Sequence, residues 1–266
     1  MLGTERQARI LDWLAKRRFA SSESLASELG VSVETIRRDI RQLDGRQALH
    51  RVRGGAVAAP AVAGEALFED RSVMHQEAKQ AIAGLAAGLV SAGQTVFLDL
   101  GTTALQVARA LATDFVGTVA TTSLLVAGEL AGLPGIEVLV CGGRVRAGDL
   151  GCSNADAVRF FAGMYADVAF VGSGGLDADH GLTDYHLDEV ATRRQMMAHA
   201  RRGYVLADAS KFDAIAPYVV CGLDDIDGLI SETVPPPPLA EAIVQRGGQI
   251  ITPQGHARPA PTSSKQ

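Results

Sequence analysis

The sequence predicts an α/β protein in two parts: an N-terminal winged helix-turn-helix joined to a larger domain of alternating strands and helices. Three observations carry this. Residues 32–43, Ser32-Val33-Glu34-Thr35-Ile36-Arg37-Arg38-Asp39-Ile40-Arg41-Gln42-Leu43, set an apolar edge against an arginine-lined one. Residues 1–58 hold 11 Lys/Arg against 7 Asp/Glu and the remainder 14 against 23, so a basic head sits on an acidic body within a net charge of −5. Such asymmetry points to a nucleic-acid partner for the head alone. From His75 onward, strand-like and helix-like runs alternate at the spacing of a largely parallel sheet.

In the head, Glu5 to Arg18 carries Ile10, Leu11 and Leu14 in helical register, with Trp13 beside them. Ser21 caps a short second helix holding Leu25, Ala26 and Leu29. Gly30-Val31 makes the tight turn, because glycine enters the left-handed region without a Cβ clash. Ser32 caps the third helix, whose Val33, Ile36, Ile40 and Leu43 share one buried face. Thr35, Arg37, Arg38 and Arg41 then face outward, where arginines meet phosphates or guanine edges of double-stranded DNA. Ala48 to Val57 alternates apolar and basic residues around Gly54-Gly55, a wing whose Arg51 and Arg53 reach the sugar-phosphate backbone. Ser32, Thr35, Arg37, Arg38, Arg41, Arg51 and Arg53 are the expected DNA-binding set. A solvated basic face on an ordinary helix is the competing reading of the third helix taken alone.

With 266 residues the chain has room for this small domain, over 1–58, and one large enough to bury a full core. Residues 59–73 read as a linker, 74–252 as the α/β domain and 253–266 as a disordered tail rich in Pro, Ser and Ala. Helices are expected over His75–Val90, Ala104–Ala112, Leu124–Ala131, Leu187–Arg202 and Leu239–Arg246. Strands are expected over Thr95–Asp99, Thr118–Thr121, Ile136–Cys141, Val168–Val171, Tyr204–Ala207, Gly228–Ile230 and Gln249–Ile251. No apolar run is long enough to span a bilayer, and the charged N-terminus has no signal-peptide core, so a cytosolic protein is expected. Cys141, Cys152 and Cys221 form neither a zinc motif nor a disulfide framework, and Cys141 and Cys221 read as buried thiols. His180, His186 and His199 lack metal-ligand spacing; no metal and no cofactor are assigned.

Parallel sheets bind ligands in the loops after their strands. Asp99-Leu100-Gly101-Thr102-Thr103 joins a strand to a helix and offers a glycine, two hydroxyls and free helix N–H groups, a turn suited to phosphate. Thr121-Thr122-Ser123 repeats the arrangement one unit later. Taken singly, either loop reads as ordinary helix capping; the pair favours a shared pocket. Gly143 and Gly172 end further strands, Gly181-Leu182-Thr183-Asp184 leads to the helix of Glu189 and Arg193, and Asp208-Ala209-Ser210-Lys211 puts a carboxylate and an ammonium in one turn. Lys211 could pair with a ligand phosphate while Glu189 and Asp208 accept from hydroxyls. A local Asp208–Lys211 ion pair is equally compatible with the spacing.

The chain resembles the DeoR family of transcriptional regulators from about Thr4 to Glu232. The resemblance rests on Glu5-Arg6-Gln7, Leu29-Gly30-Val31-Ser32, Glu34 to Asp39, Arg51 to Ala56, Asp99 to Thr103, Gly142-Gly143, Gly172 to Leu176, Gly181-Leu182-Thr183 and Ala207 to Phe212. It implies a C-terminal effector domain related to ribose-5-phosphate isomerase and glucosamine-6-phosphate deaminase, which senses a phosphorylated sugar and assembles a homodimer or homotetramer. By the same resemblance the expected effector set is Asp99, Gly101, Thr102, Thr103, Thr121, Thr122, Ser123, Gly143, Gly172, Glu189, Arg193, Asp208 and Lys211. Three positions depart from the family pattern: Arg53 stands where histidine is frequent, Thr122 where asparagine is usual, and Arg193 where lysine is typical. The expected function is a sequence-specific DNA-binding regulator of a sugar or polyol operon, a repressor by the resemblance, with no catalytic residues. The alternative is a sugar-phosphate isomerase or deaminase with an accessory head, using Glu189, Asp208 and Lys211 as an acid–base set if they converge.

Overall fold

The structure, a computed structural model, describes residues 3–17, 19–45, 48–52, 54–58 and 65–257. The chain divides into two compact units, Met1–Ala66 and Leu67–Gln266.

The first unit runs α1 (Gly3–Arg17), β1 (Phe19–Ser21), α2 (Ser22–Leu29), α3 (Val33–Gly45), β2 (Leu49–Val52) and β3 (Gly55–Ala58). Ser21 Oγ accepts from the Ser24 N–H at the start of α2, and Gly30 ends that helix at φ 64°, the left-handed turn the sequence called for. Ser32 Oγ accepts from the Thr35 N–H at 3.2 Å and so caps α3. The hairpin of β2 and β3 is antiparallel and closes at Val52 opposite Gly55. A strand the sequence reading lacked, β1, pairs with β3 and widens the wing to three strands, ordered β1-β3-β2. Ile10, Leu14, Leu25, Leu29, Ile36, Ile40, Leu43 and Leu49 close one core; Val33, expected on the buried face, is only half-buried.

The second unit opens with α4 (Phe68–Val73) and α5 (Gln76–Ala87), then alternates β4 (Thr95–Leu98), α6 (Thr102–Leu111), β5 (Gly117–Thr121), α7 (Leu124–Leu130), β6 (Ile136–Val140), α8 (Ala155–Ala162) and β7 (Val168–Val171). Next come β8 (Gly175–Asp177), β9 (Gly181–Asp184), α9 (Leu187–Ala198), β10 (Gly203–Leu206) and β11 (Tyr218–Cys221). The unit ends with β12 (Gly228–Ile230), α10 (Pro237–Gln245), β13 (Gln249–Thr252) and β14 (Gly255–Ala257). Eight strands form one sheet ordered β14-β13-β12-β10-β7-β4-β5-β6, parallel apart from β14. The chain builds outward from β4 through β5 to β6 and then returns to β7 on the other flank of β4. The crevice at the carboxyl ends of β4 and β7 is therefore the topological switch point, where sheets of this kind receive ligands. Apolar side chains pack both faces, Phe97, Val171 and Leu229 on one and Val96, Phe170 and Leu206 on the other.

Three expectations are corrected. Residues 68–73 of the expected linker form α4; residues 59–64 lie outside those described. Residues 255–257 of the expected tail form β14, whose antiparallel pairing with β13 gives that stretch backbone partners. Cys221 is half-buried rather than buried, because it ends a strand on the edge of the small antiparallel sheet β11-β9-β8. Cys141 is buried as expected, and burial pushes its thiol up to about 12.

Candidate functional site

Charge chemistry gathers in both units, in one constellation on the head and two in the second unit. On α3, Arg37, Arg38 and Arg41 are exposed and Thr35 is half-buried. Ser32 and Thr35 face each other across 2.8 Å between hydroxyls, so both serve the start of the helix. Arg41 donates to Glu34 Oε1 at 2.8 Å, and Arg37 lies 3.9 Å from both Glu34 and Glu23. Arg38 has no ion pair among the described residues. Arg51 is exposed on β2, and with Glu34, Arg37, Arg41 and Gly54 it lines a cleft of about 530 Å³ between α3 and the wing. Arg53 lies outside the described residues.

The orientation of α3 is set by a residue the sequence reading left among the arginines. Asp39 is buried and accepts from Arg6 Nε at 2.5 Å and from Gln7 Nε2 at 3.3 Å, both on α1. Gln7 also donates to Gln42 at 2.7 Å. The hydrogen bond from Arg6 to Asp39 outweighs desolvation and raises the guanidinium pKa. The signal was in the spacing: Asp39 lies three residues after Ile36 and four before Leu43, on the buried edge.

In the second unit, Asp99 follows β4 and accepts from the Gly172 N–H after β7 at 2.8 Å, stitching the switch point together. The same oxygen takes Arg193 Nε at 2.5 Å. Arg193, on α9 and only 4% exposed, further pairs with Glu189 at 2.9 Å and with Asp184. Arg146, in the loop after β6, bridges Glu189 and Asp149. Burial alone would raise the Asp184 carboxyl, yet Arg193 and the His186 N–H hold it below the usual range. For Glu189 burial prevails over both arginines and its carboxyl stands high. Asp184, Arg146 and Asp149 were absent from the expected set, and only Asp184 had been placed in a loop of interest.

A second group in this unit is cationic, and its Arg71 lies beside the first turn of α6. Gly101 adopts φ 102°, and a side chain there would approach the Arg71 guanidinium of α4. Thr102 is buried and Thr103 half-buried at the helix start. Lys79 on α5 is buried, and its ammonium donates to the backbone carbonyls of Arg71 and Met74, capping α4. Burial lowers the Lys79 pKa against the pull of Asp208, while Arg71 and Lys211 push the same way as burial, so all four groups share one field. Asp208 accepts from the Ser210 N–H and hydroxyl, the capped-turn arrangement. Among the described residues it has no ion pair with Lys211.

The remaining expected residues divide. Thr121 accepts from the Ser123 N–H, and Ser123, the N-cap of α7, accepts from the Val126 N–H. Thr122 Oγ1 is fully buried and has no partner among the described residues. Gly143 sits in an exposed loop against Asn154, where a Cβ would collide with that side chain. Of the acid–base set of the enzyme alternative, Glu189 is paired with two arginines and Asp208 accepts from Ser210.

An exposed arginine helix with a wing, and a separate α/β unit with a charged crevice at its strand ends, define a two-part transcriptional regulator. Residues 6–61 match the family model of the DeoR-like helix-turn-helix domain, and residues 74–233 that of the DeoR C terminal sensor domain. The chain belongs to the DeoR family of transcriptional regulators. It is 34% identical over 257 residues to the HTH-type transcriptional repressor CsqR of Escherichia coli strain K12, covering 97% of this chain and 98% of that one. It is 28% identical over 250 residues to the Glycerol-3-phosphate regulon repressor of the same strain, covering 94% and 99%. Among solved structures, ribose 5-phosphate isomerase A from Methanocaldococcus jannaschii aligns with a TM-score of 0.37 and 20% identity, over 50% of this chain and 53% of that one. Among the described residues no helix is long and apolar enough to cross a membrane.

Proposed function

We propose that this regulator represses a sugar or polyol operon and is controlled by a phosphorylated sugar or polyol bound at the carboxyl ends of β4, β5, β7 and β10. The observation that carries the reading is the separation of charge in the second unit. Around Arg193 and Arg146, four carboxylates face two guanidiniums, so a phosphate dianion is repelled there. Arg71 lies beside Gly101 and shares a field with Lys79 and Lys211, and at the Gly101–Thr103 turn helix N–H groups and two hydroxyls favour a phosphate. The ligand would lie with its phosphate on Gly101, Thr102, Thr103, Arg71 and Lys211. Its hydroxyls would reach toward Thr122 and the carboxylates of Glu189 and Asp208. The names of the relatives, among them a Glycerol-3-phosphate regulon repressor, support a small phosphorylated effector.

In the head, Ser32, Thr35, Arg37, Arg38, Arg41, Arg51 and Arg53 form the proposed DNA contact, with α3 in the major groove. Two half-sites call for two heads, and a homodimer or homotetramer supplies them. The cytosol is the compartment in which such a protein meets its DNA. The test is fluorescence anisotropy of the protein on its own upstream DNA, at fixed salt, titrated with glycerol 3-phosphate and a panel of sugar phosphates. One compound is expected to change DNA affinity at least fivefold, within the usual range of coupling energies. DNA binding indifferent to the whole panel would overturn the effector assignment.

A further inference from the structure

The recognition face of α3 carries a carboxylate where it must meet a polyanion. Glu34 lies at the second position of α3 with a largely exposed side chain. It faces Arg37 three residues on and Arg41 seven residues on, with one carboxylate oxygen toward each guanidinium. Exposed pairs of this kind add little to stability, so the fold does not require Glu34. Against phosphates it is unfavourable, since it repels the backbone and occupies arginines that would otherwise neutralise it. The first residues of a recognition helix are those that reach base edges. In the major groove a carboxylate finds its partner in the N4 amine of cytosine, and arginine finds its own in O6 and N7 of guanine. A Glu34–Arg41 pair therefore presents the acceptor and the donors that G·C base pairs complement.

We propose that Glu34 is a specificity-determining residue that reads a cytosine amine in each half-site, beside an arginine on guanine. Non-specific DNA gives the carboxylate no donor, so the same residue suppresses sequence-independent binding. This rests on the head as a DNA-binding domain and not on the identity of the effector.

The test selects preferred duplexes from a random pool with the full-length protein and with Glu34→Gln. It then measures affinity for the selected duplex and for random duplex over a salt series. The wild-type protein is expected to select a motif with one cytosine per half-site whose preference the variant loses. Replacing that C·G pair by T·A is expected to weaken the wild-type protein at least tenfold and the variant less than threefold. On random duplex the variant is expected to bind tighter, with a salt slope steeper by about one as an arginine is released to phosphate. An unchanged motif overturns the proposal, even if affinity rises on all DNA alike, since that rise would be plain loss of repulsion. A wild-type protein that selects no motif overturns it as well. Glu34→Ala with an unchanged melting temperature checks that the effect is not one of folding.

Discussion

Arginine serves the two units in opposite ways. In the head, Arg37 and Arg41 stand on the solvent side of α3 with side chains 55% and 54% exposed, beside carboxylates they can leave. In the sensor unit Arg193 is buried and shared among Asp99, Asp184 and Glu189, with no face left to water. An exposed guanidinium keeps its hydration and binds neighbours weakly, so it remains available to a partner molecule. A buried one must be paired on every side, because desolvation would otherwise exclude it. Exposed charge thus marks where a macromolecule docks, and buried paired charge marks what holds the crevice in shape. Arg193 is accordingly the group that fixes Asp99 and Glu189 in place.

The sharpest way to break this comparison is to remove the buried cation. Arg193→Leu leaves three carboxylates facing each other at the switch point, and breaking a buried pair in this way costs about 3–5 kcal/mol. The expected result in urea is a transition of the sensor unit at much lower denaturant, seen by tryptophan-independent probes such as circular dichroism. Arg193→Lys keeps the charge without the fork that reaches three partners and is expected to lose less. A loss below about 1 kcal/mol for the leucine variant would mean that water enters the cluster, and that the burial contrast between the units is not what separates their roles.

Among the described residues of the head one charged side chain, Asp39, is buried, and there the rule of the sensor unit should apply. Asp39→Ala strips the acceptor from Arg6 and Gln7, leaving polar groups at the α1–α3 contact without their partner. A loss of about 1–3 kcal/mol in head stability is expected, with weaker operator binding because α3 is no longer held in one rotation. Thermal unfolding of the variant with and without operator DNA separates the two effects. Retained stability with lost DNA binding would instead make Asp39 part of the docking surface.

The same contrast explains what could be read from sequence. The arginines of α3 were legible because the apolar period of Ile36, Ile40 and Leu43 placed them outside. Asp39 broke that period and was passed over, although its register put it inside. Likewise the Gly101–Thr103 turn and Arg193 were visible as residues of the right type after strands. That Arg193 would be consumed by three carboxylates was not visible, since Asp99 is 94 positions away. Arg71 and Lys79 were not legible for different reasons: α4 is six residues long, buries none of them and carries no helical period, while Lys79 lies in an expected helix but finds its partners on the carbonyls of α4. The strands β8, β9 and β11 are three or four residues each, the first two open on glycine, and only their distant pairing defines them. Their antiparallel sheet was therefore unforeseen, while β4, β5 and β7, no longer than five residues but carrying continuous buried runs, were read to within a residue at each end.

The smallest expected effect on stability belongs to Arg38, and it sharpens the comparison most cleanly. Arg38 has no ion pair among the described residues, so Arg38→Ala should change unfolding free energy by no more than about 0.5 kcal/mol. Its effect on DNA is then a measure of DNA contact alone. If the side chain meets a phosphate, affinity falls alike on operator and random duplex, and the salt slope becomes shallower by about one. Arg41→Ala differs in kind, because it removes a cation and also leaves Glu34 facing the polyanion without its nearest partner. Its loss of operator affinity should exceed that of Arg38→Ala, and the excess should shrink when Glu34→Gln is added. A double-mutant cycle on one operator duplex reads that coupling directly. Equal losses for the two arginines, with no coupling to Glu34, would show that the exposed pairs of the head have no part in how it meets DNA.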